Sequence, residues 1–407
     1  MNRHMGKLRV GAVGCGARGR HILQRMHATG RVRVTALYDP AAGAAGRVRE
    51  ELGADAALVG GYREVVERDD VDLVVVASPD HAHTEPAVAA FEHGKHVFCE
   101  KPMATTVADC QAIWDAARAA DRHLFVGFVL RYAPFYLGIK ERIDRGDLGQ
   151  VVSIEANENL SATQGAFFHR DWRRFRKFTG SYLLEKCCHD LDILTWFAGA
   201  LPRRVASFGG RSVFTPRPEA PRYCRDCDLD CPHRLHLEDP PPKPDERAAI
   251  EMNHGRRLDL CCYNSDKDIV DHQVAIIEYD NGVRATFHSN QNGGMPSRRM
   301  YLAGEAGCIE GDLYWGHFQY APVAWSPHFE GSEWQRTEVG NIGQHGGGDQ
   351  RQLAACVASV LDGTPPPAGG RAGLVASVTA LAIDEARLRG SVVDLSERWR
   401  WLGVEAA

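Results

Sequence analysis

An apolar strand that runs into a glycine-rich turn and then a helix opens the chain, and it limits the fold more than any other feature. Leu8–Val13 is the apolar run, Gly14-x-Gly16-x-x-Gly19 is the turn, and His21–Thr29 has a helical composition. In such a turn the first glycine permits a tight bend, the second lets a diphosphate approach the backbone, and the third lets helix and strand pack closely. The order of strand, turn and helix therefore predicts a dinucleotide-binding site, with the diphosphate at the helix N-terminus.

The residues that follow keep alternating between strand-like and helix-like segments. Strand-like runs occur at Val32–Tyr38, Leu73–Ala77, His96–Cys99 and Leu124–Gly127, with helix-forming residues between them. Leu73–Ala77 contains little polarity, which is typical of a strand buried on both faces of a sheet. Because this alternation predicts a parallel, doubly wound sheet, residues 1–129 are expected to form an α/β Rossmann domain.

The pattern changes after about residue 130. Tyr182–Phe197 is predicted to be helical, while Val274–Asn290 alternates around an Asp-Asn-Gly turn at 280–282, a strong signal for a hairpin. Residues 130–407 are therefore predicted to form an α+β domain with a largely antiparallel sheet. Residues 211–262 are rich in cysteine and proline, and we expect them to be an irregular insertion rather than part of the core.

Composition argues against several classes of protein. Hydrophobic residues make up 44% of the 407 residues and charged residues 25%, which is close to the average of globular proteins. A net charge of −5 gives no indication of binding to nucleic acid or to an anionic membrane. The sequence has no apolar run long enough to span a bilayer, and Met1–Arg9 leads into no signal-peptide core, so we expect a cytoplasmic protein.

Asp39, which ends the second predicted strand, bears on the choice of dinucleotide. A carboxylate at this place accepts hydrogen bonds from the adenosine ribose and repels a 2′-phosphate, so it favours NAD over NADP. A simple Asp-Pro turn would explain the same residue without any ligand. Arg18 and Arg20 count against the preference, because either guanidinium is able to bind a phosphate.

Several segments of the chain resemble one family of oxidoreductases. They are Ser78–His83, Gly94–Pro102, Val126–Phe128 with Arg131-Tyr132, Gly149–Val151 and Gly180–Asp192. These segments are similar to the Gfo/Idh/MocA family, the relatives of glucose–fructose oxidoreductase and inositol dehydrogenase, whose best local mark is the Glu-Lys-Pro triplet found here at 100–102. The resemblance implies an NAD-dependent enzyme that oxidises a secondary hydroxyl of a sugar, cyclitol or related polyol. It also implies a second domain with a large open sheet whose face joins subunits, and hence a homo-oligomer, either a dimer or a tetramer.

Lys101 directly follows the fifth predicted strand. Ligands of open α/β sheets bind just outside the carboxyl ends of the strands, although a lysine considered alone is more often a solvated surface residue. The resemblance implies that Lys101 contacts the reacting substrate oxygen. The expected dinucleotide contacts are Gly14, Gly16, Arg18, Gly19, Asp39, Ser78, Pro79, His83, Glu100 and Lys101.

A second group of reactive residues lies in the stretch 185–192. If this stretch is helical, Glu185, His189 and Asp192 share one face at spacings i, i+4 and i+7. The resemblance implies that His189 is the catalytic histidine, and its ordinary pKa of about 6.5 suits a general base near neutral pH. Inositol dehydrogenase-like members of the family have aspartate four residues before that histidine, whereas this chain has Glu185, which is one methylene longer. We expect Glu185 to hold His189 or a substrate hydroxyl.

The remaining candidates for substrate contacts come from several parts of the chain. They are Arg131, Tyr132, Lys186, Asp192 and His345. His345 begins a His-Gly-Gly-Gly-Asp loop that leads into a helix, so it either reaches the substrate or lies in a surface turn. The aromatic and basic segment 167–172 is open to two interpretations as well, a lid over the cavity or a packed surface loop.

Twelve cysteines in a chain without a recognisable export signal favour free thiols or metal ligands over disulfides. Cys224-x-x-Cys227-x-x-x-Cys231 and, further on, Cys261 are compatible with a tetrahedral structural zinc, with His233 as an alternative fourth ligand. Such a metal would order an insertion that has few apolar residues. A set of free thiols explains the same cysteines without a metal.

Three functions are open at this point. The first is a dehydrogenase that releases the ketone and NADH. The second is an NAD-retaining glycosidase or epimerase, which oxidises a sugar hydroxyl, eliminates across the acidified carbon and then returns the hydride without net redox. The third is a nucleotide-sensing regulator without chemistry, against which the presence of Lys101 and His189 argues, because a sensor does not need a proton-transfer pair.

Overall fold

The computed structural model describes residues 6–41, 43–235, 259–327, 331–340, 345–364 and 368–405. Part of the predicted insertion, residues 236–258, therefore lies outside the described residues. Within the described ranges, no helix combines the length and the apolarity that a membrane crossing requires.

The first sheet is parallel. Its strands are β1 Leu8–Val13, β2 Val32–Tyr38, β3 Ala57–Leu58, β4 Leu73–Val76, β5 His96–Cys99 and β6 Leu124–Val126. The helices of this region are α1 Ala17–Ala28, α2 Ala44–Leu52, α3 Tyr62–Val66, α4 Thr84–Glu92 and α5 Val107–Ala120. The strands lie in the order β3-β2-β1-β4-β5-β6 and all neighbours pair in parallel, which confirms the predicted doubly wound Rossmann sheet.

The order of the strands determines where a ligand can bind. All four residues of β4 are apolar and buried, as expected for a parallel sheet with helices on both faces. The strand order reverses direction between β1 and β4. Ligands of such sheets bind in the crevice at this switch point. The fold therefore brings the loops after β1, β4 and β5 together around one site.

The second sheet is mixed and mostly antiparallel. Its strands are β7 Val151–Ser161, β8 Pro202–Gly210, β9 His272–Tyr279, β10 Arg284–Gly293, β11 Arg299–Gly304, β12 Gly307–Asp312, β13 His317–Pro322, β14 Gln335–Glu338 and β15 Val393–Asp394. They lie in the order β14-β13-β12-β11-β7-β10-β9-β8-β15, in which β7 and β10 pair in parallel and the other neighbours are antiparallel. The predicted hairpin is confirmed as β9 and β10, with Arg284 opposite Glu278.

The helices of the second region pack on this sheet and on the first one. They are α6 Pro134–Asp144, α7 Ala162–Phe168, α8 Arg176–Thr179, α9 Tyr182–Ala198, α10 Gly348–Asp362, α11 Gly370–Arg389 and α12 Ser396–Trp401. Helix α9, which contains the predicted reactive stretch, begins after Ser181, whose hydroxyl accepts a hydrogen bond from the Leu184 N–H at 3.0 Å. Most of its residues are buried because it packs against α11, β7 and β10.

The chain returns to the first sheet near its end. Leu353 and Cys356 of α10 share a core with Leu8 of β1. Asp349, at the start of α10, accepts a hydrogen bond from Arg18 of α1 at 2.7 Å. The beginning of α10 is therefore held next to the glycine turn, although it lies far from that turn in the sequence.

Candidate active site

The glycine turn has the shape that a diphosphate needs. Gly14 has a φ of +97°, a conformation that other residues rarely adopt. A Cβ on Gly19 would lie 2.0 Å from the Gly14 carbonyl oxygen, so only glycine allows α1 to pack this closely on the turn. Gly16 faces open space, because no atom of the surrounding described residues lies within 4 Å of a Cβ built on it. An anion in that space would meet the positive end of α1, so the residues present fit the diphosphate of NAD.

Asp39, which is predicted to contact the ribose, also stabilises the glycine turn. Its carboxylate accepts hydrogen bonds from the N–H groups of Cys15 and Ala41, both at 2.7 Å, and so holds the glycine turn against the end of β2. A carboxylate offers about four acceptor sites. Asp39 therefore keeps the capacity to accept hydrogen bonds from hydroxyl groups in the cavity that it lines.

The two arginines of the turn are engaged with carboxylates. Arg18 donates hydrogen bonds to Glu100 and to Asp349, both at 2.7 Å. Arg20 donates a hydrogen bond to Glu51 at 3.2 Å. Both guanidinium groups already have anionic partners, which weakens the objection that they bind the 2′-phosphate of NADP.

One cavity of about 1280 Å³ contains the glycine turn and the predicted catalytic residues. The predicted dinucleotide contacts that line it are Gly14, Gly16, Arg18, Asp39, Ser78, Pro79, His83, Glu100 and Lys101. The predicted catalytic and substrate residues that line it are Glu185, His189 and His345. Gly19 packs against the turn instead of lining the cavity. The fold thus brings together residues that are far apart in the sequence.

His83 joins two of the loops at the edge of the first sheet. Its ring nitrogens lie 2.9 Å from the carbonyl oxygens of Ser78 and Pro102, and the residue is fully buried. Burial also lowers the pKa of His83. The side chain therefore holds the loop after β4 against the loop after β5, which carries Lys101.

Lys101 lies between the cavity and helix α9. Its Nζ donates a hydrogen bond to the Glu185 carbonyl oxygen at 2.6 Å and lies 3.9 Å from the carboxylate oxygen Oε1 of the same residue. Burial lowers the pKa of Lys101, but the nearby carboxylates, chiefly that of Glu185, hold it above its ordinary value. Lys101 is therefore a cation at neutral pH and is able to donate a hydrogen bond to a substrate oxygen.

His189 and His345 line the same part of the cavity, with ring centroids 6.0 Å apart. His345 Nδ1 lies 2.8 Å from Asp349 Oδ2, which orients the His345 ring, so this residue is not a simple surface turn. Burial and the positive charge of Lys101 hold the pKa of His189 well below its ordinary value. The sequence alone indicates only the ordinary histidine pKa, whereas burial and nearby cations lower it here. His189 is neutral near pH 7 and is able to accept a proton.

Three of the predicted substrate contacts, Arg131, Tyr132 and Asp192, lie outside the cavity lining. Arg131 donates two hydrogen bonds of 2.7 Å to the Asp192 carboxylate, and Tyr132 is buried in the core. Asp192 shares a face of α9 with Glu185, as predicted. However, it lies about 10 Å further along the helix axis, where Arg131 neutralises it and the cavity has ended.

Lys186 also lies outside the cavity lining, in a set of charges that we call the buried ionic cluster (Lys186, Glu158, Arg298 and Asp190). Lys186 pairs with Glu158 at 3.0 Å, and Arg298 pairs with Glu158 at 2.6 Å and with Asp190 at 2.8 Å. Successive residues of a helix are rotated by about 100°. Lys186 therefore lies on another side of α9 than Glu185, where it contacts this cluster.

Sequence reasoning missed several charged residues that line the cavity, among them Asp80, Asp171 and Arg173. Arg173 donates hydrogen bonds of 2.7 Å to Glu185 Oε1 and to Asp171 Oδ2. Burial and the negative charge of Glu185 raise the pKa of Asp80 well above its ordinary value. The charged run Arg-Asp-Trp-Arg-Arg at 170–174 is a signal in the sequence, but a loop has no periodicity that shows which side chains face a cavity.

The cysteines of the insertion have an arginine among them. Among the described residues, no three His, Cys, Asp or Glu side chains are placed to hold a metal ion, so the zinc predicted at Cys224, Cys227, Cys231 and Cys261 is not supported. The Arg170 guanidinium donates a hydrogen bond to Cys224 Sγ at 3.6 Å and thus brings a positive charge to the thiols. All twelve cysteines are free thiols.

The described part of the insertion has a small core of its own, which the sequence did not predict. Phe214, Cys262 and Tyr263 are buried together with Ala166 of α7. The segments that carry the cysteines also meet each other, because the Cys224 N–H donates a hydrogen bond to the Asp259 carbonyl oxygen at 2.7 Å. The insertion is therefore attached to α7 by apolar contacts.

A Rossmann sheet with a glycine turn that fits a diphosphate, opening into a cavity with a lysine and a histidine, defines a class of dinucleotide-dependent oxidoreductases. Residues 8–128 match the family model described as oxidoreductase family, NAD-binding Rossmann fold, and residues 140–395 match oxidoreductase family, C-terminal alpha/beta domain. The chain therefore belongs to the Gfo/Idh/MocA family of NAD-binding oxidoreductases, as its resemblance predicted.

Similar proteins include two inositol 2-dehydrogenases. That of Gluconacetobacter diazotrophicus is 36% identical over 273 residues, which cover 66% of this chain and 71% of that protein. That of Salmonella typhimurium is 30% identical over 191 residues, which cover 46% of this chain and 54% of that protein, so the chain spans about half of its length. Among solved structures, levoglucosan dehydrogenase in complex with NADH and levoglucosan has the same fold, with a TM-score of 0.74 at 18% identity over 95% of this chain and 99% of that chain.

Proposed function

We propose that this protein oxidises a secondary hydroxyl group of an uncharged sugar, cyclitol or related polyol, with NAD as the hydride acceptor. The observation that carries the proposal is the meeting of Lys101, Glu185 and His189 in the cavity that also contains the glycine turn. The names of the similar proteins, inositol 2-dehydrogenase and levoglucosan dehydrogenase, support a substrate of this class.

Each of the three residues has a distinct task in this reaction. NAD, when bound, supplies the acceptor for the hydride that leaves the carbon atom. The Lys101 ammonium donates a hydrogen bond to the substrate oxygen and stabilises the negative charge that develops there. His189, which is neutral, accepts the hydroxyl proton. Glu185 holds Lys101 in position and keeps it charged.

The charges in the cavity favour a neutral substrate over a sugar acid. Lys101 lies beside the Glu185 carboxylate, and Arg173 is shared between Glu185 and Asp171. Both cations therefore already have anionic partners. A charged substrate would bring an uncompensated charge into a partly desolvated site, which is costly.

NAD rather than NADP is the cofactor that we propose. Asp39 lines the cavity near the glycine turn, where its negative charge would repel a 2′-phosphate. Arg18 and Arg20, which are able to bind such a phosphate, are paired with carboxylates.

The proposal is tested by measuring NADH formation by the purified protein with NAD and a panel of cyclitols, aldoses, glycosides and sugar acids. The expected result is steady accumulation of NADH with an uncharged polyol, and slower reduction of NADP in its place. The redox-neutral glycosidase or epimerase, which the names of the similar proteins do not favour, would convert a glycoside while no NADH accumulates. Binding of NAD without conversion of any compound would indicate the regulator, and either outcome would contradict the proposal.

We further propose that the open face of the second sheet joins two subunits. Phe208, Val274 and Ile276 lie on its outward side and are 73%, 46% and 57% exposed. Neighbouring apolar side chains that remain exposed are typical of a protein interface. Light scattering is expected to show a dimer or a tetramer, and a monomer at high protein concentration would contradict this proposal.

We also propose that the chain divides into domains 1–129 and 130–407, with 211–262 as an insertion in the second. The change from a parallel to a mixed sheet after β6 supports this division. Because α10 packs on the first sheet, the division is tested on the whole chain. NAD is expected to slow hydrogen–deuterium exchange in residues 1–129 more than in the second sheet, and equal slowing of both parts would contradict the division.

A further inference from the structure

The cavity includes a wall that belongs to the segment between β7 and α9 and that neither the dinucleotide nor the proton transfer requires. Thr163, Phe167, Arg170 and Trp172 of this segment line the cavity. Leu235, from the insertion, lines it as well. We call these five residues the outer wall.

Contacts place the outer wall close to the reacting residues. The Arg173 guanidinium lies 5.7 Å from the centroid of the Phe167 ring and donates a hydrogen bond of 2.7 Å to Glu185 Oε1. The same Glu185 oxygen lies 3.9 Å from Lys101 Nζ. Two side chains, Arg173 and Glu185, therefore connect Phe167 with Lys101, the residue that binds the reacting hydroxyl. A second ring on the substrate is able to span this distance and reach the Phe167 ring.

The backbone keeps the Phe167 ring exposed. Gly165 packs so tightly on β10 that a Cβ on it would lie 1.6 Å from the Gln291 carbonyl oxygen, which fixes helix α7 in place. Phe168 turns inward and packs edge-to-face on Tyr182 at 5.6 Å between ring centroids. Phe167 remains 38% exposed beside it. A large aromatic ring that is held on a fixed helix and lines a ligand cavity is suited to pack on an apolar ring of a ligand.

The two arginine side chains of this region already have hydrogen-bond partners in the protein. Arg173 donates a hydrogen bond to Asp171, and Arg170 donates one to Cys224 Sγ. The Arg170 guanidinium is therefore directed to the insertion, and the Arg173 guanidinium is neutralised. What Phe167 offers a ligand is apolar surface without net charge.

We propose that the outer wall is a subsite for the second ring of a glycoside, so that the preferred substrate is an uncharged glycoside rather than a free monosaccharide or cyclitol. The inference rests on the proposed function, because the first ring must place a hydroxyl at Lys101 and His189. The glycosidic bond stays intact. The carbon atom loses a hydride to NAD, the hydroxyl proton passes to His189, and the products are a keto-glycoside and NADH. The second ring, a sugar with an apolar face or an aryl group, packs on Phe167.

The same proposal assigns a task to the insertion. Arg170 connects the segment after α7 to the insertion, and Leu235 of the insertion lines the cavity beside it. Ala166 of α7 shares the small core of the insertion. The described part of the insertion therefore contributes Leu235 to the outer wall and is held against α7 by the shared core.

The test compares NADH formation from matched methyl and phenyl glycosides of glucose, galactose, mannose and xylose, with cellobiose and lactose as disaccharides. The wild-type protein is expected to have a kcat/KM about tenfold higher for a phenyl or disaccharide substrate than for the methyl glycoside of the same sugar. Phe167→Ala is expected to remove this preference, because kcat/KM falls about tenfold more for the phenyl or disaccharide substrate than for the methyl glycoside. Phe167→Trp retains a ring and is expected to retain the preference.

Trp401→Ala is the matched control, because it removes a side chain that is 58% exposed and lies outside the cavity lining. It is expected to retain the preference. Equal kcat/KM for methyl and phenyl glycosides in the wild type would overturn the subsite, and so would oxidation of free cyclitols but of no glycoside. An equal loss for both glycosides in Phe167→Ala would also overturn it, since that result shows a structural role. Failure to oxidise any compound, free polyols included, would contradict the proposed function itself.

Discussion

Two lysine–glutamate pairs involve neighbouring residues of helix α9, Glu185 in one pair and Lys186 in the other, and they lie on different sides of the helix. Lys101 lies 3.9 Å from the carboxylate of Glu185 and lines the cavity. Lys186, which follows Glu185 in helix α9, pairs with Glu158 at 3.0 Å in the buried ionic cluster. The exposed fractions of the two lysine side chains are almost equal, 19% and 22%, so exposure does not distinguish them. What distinguishes them is access to the cavity that contains the glycine turn.

The comparison shows that a lysine–carboxylate pair is by itself poor evidence for a reactive site. In the buried ionic cluster the pairs compensate one another, because Arg298 binds both Glu158 and Asp190. In such a set each charged group already has a partner of opposite charge. The set therefore affects the stability of the fold rather than the binding of a ligand. A perturbed ionisable group indicates function when it also lines a cavity, and Lys101 meets both conditions.

The largest effect is expected from Lys101→Met. It removes the donor to the substrate oxygen and should lower kcat by about 10³-fold or more, while the dissociation constant of NAD changes little. Measuring NADH formation checks the effect on kcat, and a titration with NAD checks the dissociation constant. Lys7→Met, which replaces an exposed lysine before β1, is the control and should keep full activity. A parallel loss of NAD binding and turnover would show a structural lysine and would remove the contrast with Lys186.

The next effect concerns stability rather than turnover. Arg298→Met leaves Glu158 and Asp190 buried without their shared cation, and it should lower the free energy of unfolding by about 3 kcal/mol. Unfolding in urea followed by circular dichroism measures this change. Arg298→Met combined with Glu158→Gln removes charges of both signs and should recover part of the loss. A single variant as stable as the wild type would mean that this cluster does not stabilise the fold.

The sequence predicted the fold best where the pattern is local. Buried strands, the glycine turn and the hairpin between β9 and β10 are all specified by neighbouring residues, and they were predicted. The parallel pairing of β7 with β10, with Ser153 next to Arg284, was not. Such a pairing joins segments that are distant in the sequence, so it depends on tertiary packing and not on any local pattern.

The same reasoning explains which site residues were found. The family resemblance, together with helical periodicity and the end of a strand, suggested Glu185, His189 and Lys101, and the cavity brings them together. Periodicity gives the direction of a side chain around the axis but not how far along the axis a cavity extends, which is why Asp192 was included. Arg173 was missed because it lies in a loop, where no period shows which side chains point to the site.

The third effect is expected from Arg173→Gln, which should lower kcat/KM about tenfold, the cost of one charged hydrogen bond. Burial raises the pKa of Glu185, but Lys101 and Arg173 hold it below its ordinary value. Loss of the guanidinium raises this pKa. Glu185 then becomes protonated at a higher pH, and the activity should fall earlier as the pH decreases. Arg173→Lys, which keeps the charge, should restore the wild-type pH profile in part. A lower kcat/KM with an unshifted profile would limit Arg173 to a structural role.

The smallest effect, and the sharpest test of the comparison, is expected from Lys186→Met. Lys186 lies outside the cavity lining, so kcat at neutral pH should change by less than about threefold. Burial and the charge of Lys101 are the main causes that hold the pKa of His189 below its ordinary value, and Lys186 adds to them. Removal of the Lys186 charge therefore raises that pKa. Because His189 must be unprotonated to accept a proton, the acid limb of kcat/KM should move to higher pH by a few tenths of a unit.

Lys7→Met serves again as the control for Lys186→Met, since it removes the same charge from an exposed position, and it should leave the acid limb unchanged. An acid limb that also stays in place in Lys186→Met would mean that the buried ionic cluster does not act on His189 through its charge. A loss of kcat as large as that of Lys101→Met would mean that both lysines take part in the reaction. In that case the side of α9 on which a lysine–glutamate pair lies would not separate a reactive pair from a structural one.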